Sequence, residues 1–298
     1  MFRLLLVVVA VGLGLAAAPN LSQDKPAAKP PLYATTRVEG TDNVYIFRYG
    51  NHQAMFVVTP AGVIATDPIA YGRPQAAHTY IEEIRKITSQ PIRYLIYSHH
   101  HFDHIAGGQP FKDAGATIIA HRRALERLER LQDPATPLPD EVFDRRRVIR
   151  LGGTTLELTY HGLNHSDSTI VMRLPRERII FVVDLLPVGS VPGRGMIDFY
   201  PLEAEQSIEE ILKLDWDRLI PGHPGQPGGR LGTRADVEAQ LAFLRHASEV
   251  VKAAAREGKC WEPAERELKL PKYENWPGYQ NNLPFVIRRY CGLWGRGT

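Results

Sequence analysis

His99, His101, Asp103 and His104, all able to ligate a metal, fall within six residues. They directly follow Ile92 to Tyr97, an apolar run that reads as a buried strand after the break at Pro91. At a strand end a turn can send alternate side chains in different directions. His99 and His101 can then serve one metal while Asp103 and His104 serve another. Imidazole suits zinc, and a carboxylate adds a harder oxygen. Three consecutive histidines would also suit a metal-buffering tract. The flanks speak against that, being a strand on one side and the turn at Gly107 and Gly108 on the other.

A two-metal site needs further ligands from elsewhere in the chain. His165 follows a strand within Gly162-Leu163-Asn164-His165-Ser166. Asp184 follows the apolar run Ile179 to Val183, and His223 lies in Ile220-Pro221-Gly222-His223-Pro224. Asp67 ends an early strand, just before Pro68. A lone His or Asp at a strand end is more often structural. The shared placement of these four changes that reading, because α/β folds put their sites beyond strand ends. Asp67 suits a role beside the metals, accepting the free N–H of a ligand histidine. Its plainer role is to cap the turn before Pro68.

The set resembles the metallo-β-lactamase-fold hydrolases. His-x-His-x-Asp-His is present as His99, His101, Asp103 and His104, followed in family order by His165, Asp184 and the Pro-Gly-His element ending at His223. Asp67 matches a further family aspartate. The resemblance runs from about Val44 to His223. It implies an α/β fold, a four-layered αββα sandwich, with two zinc ions at its edge. It also implies that His99, His101 and His165 hold the first zinc and that Asp103, His104 and His223 hold the second, with Asp184 bridging. Two such zincs would share a hydroxide, the nucleophile, and Asp103 would handle a proton as the intermediate collapses. An aspartate at 184 looks like the glyoxalase II and lactonase branches, whereas dizinc β-lactamases usually have cysteine or serine there. Diiron relatives carry glutamate where this chain has His101, which favours zinc. The tail, with Tyr273 to Tyr279 and Leu283-Pro284, is similar to secreted bacterial members, some near sulfur or quinoprotein oxidation systems.

The remaining chemistry-bearing residues are weaker candidates. His100 occupies a variable position of the motif and is expected to face away. His52, in a polar turn, and His121, after a strand, could approach the site, although structural roles are favoured. His161 could line a pocket, and His78 and His246 read as solvated helix residues. Arg145 to Arg147 could meet an anionic substrate but read better as solvated surface. Val188 to Tyr200, directly after Asp184, is expected to be a mobile cover over the site. Trp261, Trp276 and Trp294 are expected to pack the C-terminal segment.

The elements that must position these groups alternate along the chain. Strand patterns appear at Tyr45 to Tyr49, Met55 to Thr59, Val63 to Thr66 and Thr117 to Ala120. They recur at Leu156 to Tyr160, Thr169 to Leu174, Arg178 to Val183 and Arg218 to Ile220. Helical spacing appears at Ile81, Ile84 and Ile87, then over His121 to Leu131, Glu203 to Leu214 and Arg234 to about Glu257. Strands and helices interleave in two strand-rich halves.

Composition narrows the function. The chain has 298 residues, 36 basic and 33 acidic, for a net charge of +3. That balance disfavours a nucleic-acid binder relying on a basic surface. Two cysteines, Cys260 and Cys291, exclude a cysteine-rich zinc module, while an oxidising compartment would permit them to pair. Arg3, the short apolar run Leu4 to Leu15 and Ala16 to Ala18 read as a secretory signal peptide, residues 1–17. Residues 18–31 read as a flexible linker, and 32–298 as the hydrolase domain with a C-terminal helical extension. The expectation is a periplasmic or secreted dizinc hydrolase acting on an ester, thioester or lactone. Its partner is a small molecule, with no nucleic acid and no stable membrane span after signal removal. The alternatives are a β-lactamase and a non-catalytic zinc-binding accessory protein.

Overall fold

The computed structural model describes residues 30–194, 196–225 and 229–298. The signal peptide and nearly all of the linker expected from the sequence lie outside the described residues.

Within Pro31–Thr298, the first half builds a seven-stranded sheet whose spatial order is its sequence order. Its strands are β1 (Tyr33–Arg37), β2 (Val44–Tyr49), β3 (His52–Thr59), β4 (Gly62–Thr66), β5 (Ile92–Ile96), β6 (Thr117–His121) and β7 (Glu141–Phe143). Neighbours are antiparallel from β1 to β4 and parallel from β4 to β7. The second sheet holds β8 (Arg146–Leu151), β9 (Thr154–Tyr160), β10 (Ile170–Leu174), β11 (Ile179–Val182) and β12 (Arg218–Pro221). Its order is β12-β11-β10-β9-β8, with only β11 and β12 parallel.

Side-chain alternation sorts the apolar residues into three cores. Along β11, Ile179 and Phe181 face the space between the sheets, while Ile180 and Val182 face the outside. The central core joins Val57, Ile64 and Ile96 of one sheet to Leu158, Met172 and Phe181 of the other. The short α2 (Phe102–Ile105) carries Asp103 and His104, and the outer face of the first sheet is covered by α1 (Ala76–Ile87), α3 (Gln109–Asp113) and α4 (Arg122–Leu131), through residues such as Tyr80, Phe111 and Leu128. The outer face of the second is covered by α5 (Pro201–Lys213), α6 (Arg234–Arg256) and α8 (Tyr279–Arg296). Helix, sheet, sheet and helix are thus stacked as the αββα sandwich that the resemblance implied.

The strand pattern left three elements unannounced: β1, β7 and β8. Arg146 and Arg147 belong to β8, where they pair with Glu157 (2.9 Å) and Glu141 (2.8 Å). These are exposed ion pairs worth little individually. They agree with the solvated-surface reading of the arginine run. In the C-terminal segment, Trp276 stacks on Phe243 and the Trp294 indole N–H donates to Ser248. Trp261 is 37% exposed and does not share that packing role. A disulfide joins Cys260, just before α7 (Glu262–Glu267), to Cys291 on α8. No described helix is long and apolar enough to cross a membrane.

Candidate metal centre

Five chain segments end at one edge of the sandwich. β4 and β5 run parallel and deliver Asp67 and the His99–His104 segment side by side. β11 and β12 run parallel in the second sheet and deliver Asp184 and His223. β9, which runs in the same direction, leads to His165. The two sheets are tied across this edge by Gln53, whose backbone N–H donates to Gly222 O (2.7 Å) and whose side chain donates to Pro221 O (2.9 Å).

Two local features aim the side chains. Asp184 has φ +62, and Leu185 N–H donates to Val183 O at 2.7 Å, so the chain makes a tight γ-type turn centred on Asp184. Such strain is typical of positions held for function. Beside it, a Cβ on Gly222 would stand 2.6 Å from Val183 Cγ1 and 3.2 Å from His104 Cε1. Only glycine lets the strand ends approach this closely before His223.

Ligand-type atoms gather into adjoining groups: His99, His101, His165 and Asp184 in one, and His52, Asp103, His104 and His223 in another. Asp184 lies between them. Its Oδ2 is 3.2 Å from His104 Nε2, 3.5 Å from His165 Nε2 and 3.8 Å from His99 Nε2, while its Oδ1 is 3.1 Å from His223 Nε2. His165 Nε2 faces His101 Nδ1 at 3.2 Å, and His104 Nε2 faces His223 Nε2 at 3.2 Å. Two nitrogens bound to one tetrahedral zinc at 2.0–2.1 Å would stand roughly 3.3–3.4 Å apart. The facing pairs therefore match the span that one ion bridges. The buried His99 Nε2 has no hydrogen-bond partner among the described residues, as a metal-directed atom would. The residues present fit zinc.

Outer contacts choose which ring nitrogen points inward. His101 Nε2–H donates to Asp198 Oδ2 (3.0 Å), leaving Nδ1 for the cluster. His223 Nδ1–H donates to Asn51 O, leaving Nε2. His99 Nδ1 is bonded to Ser98 Oγ at 2.9 Å. This is the arrangement that fixes tautomer and ring orientation around metals.

The charge states agree with a cation site. Burial pushes His165 down to about 4 and His99 well below the usual imidazole range, so both are neutral donors at pH 7. Burial opposes ionisation of Asp184, but His104 and His223 hold it well below the usual carboxylate range. Burial likewise opposes charge on His223, but Asp184, helped by Asn51 O and Asp103, holds that imidazole up at about 9, so the carboxylates there already attract a positive charge, a proton that a metal would displace. Asp103 is kept ionised against its burial by His52 and His104.

Three placements differ from the expectations. Asp67 is fully buried, yet its Oδ1 accepts from Ser98 N–H (2.8 Å), and its Oδ2, like the buried Nδ1 of His104, has no hydrogen-bond partner among the described residues. It thus braces the chain entering the histidine motif and makes no hydrogen bond to a ligand histidine. His100 does not face away: it bonds Ser168 Oγ (2.8 Å) and stands 3.6 Å from Asp198. His52, for which a structural role is favoured from the sequence, reaches Asp103 Oδ2 at 3.1 Å. By contrast, His121 stacks on Tyr160, and His161 pairs with Thr159, both apart from the clusters. Asp198 has no signal in the sequence, because a lone aspartate in a Gly-rich loop carries no spacing to mark it.

The clusters open into a cavity of about 490 Å³. Its walls include Leu186, Val191, Met196 and Phe199 from the loop after β11, along with Gln240, Gly278 and Asn282 from the C-terminal segment.

Residues 69–223 match the family model described as the Metallo-beta-lactamase superfamily, and the chain belongs to that superfamily. The chain is 27% identical over 196 residues to the 2,4-dinitroanisole O-demethylase subunit alpha of Nocardioides sp. (strain JS1661), covering 65% of this chain and 58% of that protein. It is 30% identical over 154 residues to the Metallo-beta-lactamase type 2 of Bacillus cereus, covering 50% and 58%. The chain thus spans about three fifths of the length of these curated relatives. Among solved structures, a metallo-beta-lactamase from Pontibacter korlensis superposes with a TM-score of 0.61 at 18% identity, covering 72% of this chain and 99% of that one. A sec-alkyl sulfatase superposes with a TM-score of 0.70 at 14% identity, covering 88% and 50%. These two likenesses concern the fold.

Proposed function

We propose that the chain is an exported dizinc hydrolase that cleaves a carbonyl-centred bond in an ester, thioester or lactone. The observation that carries this reading is the pair of facing-imidazole groups, 3.2 Å across, with Asp184 between them at the floor of a cavity. His99, His101 and His165 would hold one zinc, and Asp103, His104 and His223 the other, with Asp184 shared. Zinc bound there would lower the pKa of water to near 7 and polarise a carbonyl oxygen.

The chain's own residues do the rest. Asp198 and Asn51 O orient two of the imidazoles. Asp103, ionised and 40% exposed at its side chain, is placed to take a proton at the cavity mouth and return it to a leaving group. His52, on Asp103 Oδ2, keeps that carboxylate turned toward the cluster. The apolar loop residues exclude water from the acyl part of a substrate. Val191 N–H donates to Pro277 O (3.0 Å), so this loop is docked on the C-terminal segment as a wall of the site.

A lactam substrate is the second reading, favoured by the β-lactamase from Bacillus cereus among the relatives. The aspartate at 184 speaks for the ester and thioester side. Export is supported by the Cys260–Cys291 disulfide, which suits an oxidising compartment. The signal peptide at 1–17 belongs to the same reading. N-terminal sequencing of exported protein should start at Ala17 or Ala18. A panel of an acyl thioester, an acyl lactone and a cephalosporin tests the chemistry. Turnover of the thioester or lactone is expected. Turnover of the cephalosporin alone would favour the lactamase. Inactivity on all three with zinc bound would point to an accessory protein and overturn the hydrolase.

A further inference from the structure

A glutamine occupies a place on α6 that the helical pattern reserves for an apolar side chain. Val237, Leu241, Leu244, Ala247 and Val251 form the stripe that α6 buries. Gln240 lies within that stripe and is 1% exposed. Neither its Nε2 nor its Oε1, both closed off from solvent, has a hydrogen-bond partner among the described residues. Buried polar groups are rarely left so, because desolvating them is costly. Gln240 also lines the cavity that contains His101, His165, Asp184 and His223. It lies beyond residue 223, where the family match ends, on a wall shared with Gly278 and Asn282. This wall is therefore a place where the chain can set its own substrate preference.

We propose that Gln240, by turning its amide from its closed-off position into the adjoining cavity, is a substrate-binding residue, and that the group it takes is an uncharged amide, carried on the acyl part of the substrate away from the scissile bond. The glutamine amide presents one donor and one acceptor side by side. A primary carboxamide or a cis ring amide presents the matching acceptor and donor. A carboxylate would satisfy only Nε2 and would enter an apolar wall as a charge. Among the described residues, the arginine that lines the cavity, Arg194, is exposed. The reacting bond named here rests on the hydrolase reading; the binding preference does not.

The test uses the zinc-loaded full chain and two probes. One is the monoamide of adipic acid, and the other is its isostere with isopropyl in place of the carboxamide. Each is used as the free acid for calorimetry and as the para-nitrophenyl ester for turnover. The monoamide should bind at least about tenfold more tightly, since a site built to pair an amide rejects the analogue that leaves it unpaired. The ester pair should differ in kcat/KM in the same direction. Gln240→Met should abolish or reverse the preference, with zinc content and melting temperature recorded to show a folded protein. Equal binding of the two acids by the wild type, or binding of neither, overturns the proposal without recourse to a variant. An unchanged preference in folded Gln240→Met overturns it as well. Selective binding without turnover of either ester leaves the amide subsite standing and removes the hydrolase reading.

Discussion

At the scale of single residues, the centre depends on groups that hold ligands as much as on the ligands themselves. Asp198 accepts the outward N–H of His101, and losing such a contact typically weakens metal binding roughly 10–100-fold. Asp198→Ala should show that loss in a zinc titration against a competing chelator. Asp198→Asn, which can still accept the bond without a charge, should recover part of it. Equal affinities in all three proteins would show that His101 needs no such orientation. The ligand candidates were legible in the sequence because each has a partner at a recognisable spacing or sits at a strand end. Asp198 and Gln240 were not, for different physical reasons. Asp198 acts from an irregular loop without periodicity. Gln240 does break a legible apolar stripe, but a polar residue in such a stripe shows its meaning only when its partners can be counted.

At the scale of elements, the site needs two parallel strand pairs to end at one level, and close contact between β11 and β12 enforces that. Gly222→Ala would drive a methyl into Val183 and His104. A loss of about 1–3 kcal/mol in stability is expected for such overpacking, with reduced zinc content. Chemical denaturation and metal analysis would show both, and a fully loaded, equally stable variant would contradict the packing. The cap of α6 gives a pH signature. Asp236 is held down at about 2, chiefly by Arg230, with burial opposing and Thr233 helping. Its folded pKa lies below the unfolded value near 3.9. Its contribution is thus fully present above about pH 4 and is lost as pH falls through 2. The stability gap between wild type and Asp236→Asn should be constant near neutrality and close toward pH 2; a gap that persists there would argue against the ion pair. The elements missed in the sequence share a cause. β7 has three residues, and β1 and β8 carry exposed polar side chains, so none shows an apolar alternation strong enough to read.

At the scale of the whole molecule, the fold separates the edge that gathers the ligand-type side chains, built by the two sheets, from a cavity wall built by α6, α8 and the loop after β11. The wall is fastened by the disulfide, whose partners lie 31 residues apart. A loop of that length corresponds to about 3–4 kcal/mol in the chain-entropy account. Thermal unfolding with and without reductant should reveal a clear loss of stability, and coincident melts would deny the cross-link its role. The layered architecture was legible because strands and helices alternate and the motif residues follow strands. The pairing of Cys260 with Cys291 was not, because distance across a fold is invisible in a sequence until α8 packs. The central claim is that His99, His101, His165, Asp103, His104 and His223, with Asp184 shared between them, hold two zinc ions. Metal analysis of the purified protein tests it most directly, alongside Asp184→Ala. Two zincs per chain in the wild type and a loss in the variant are predicted; one or none in the wild type, or two retained in Asp184→Ala, would contradict it.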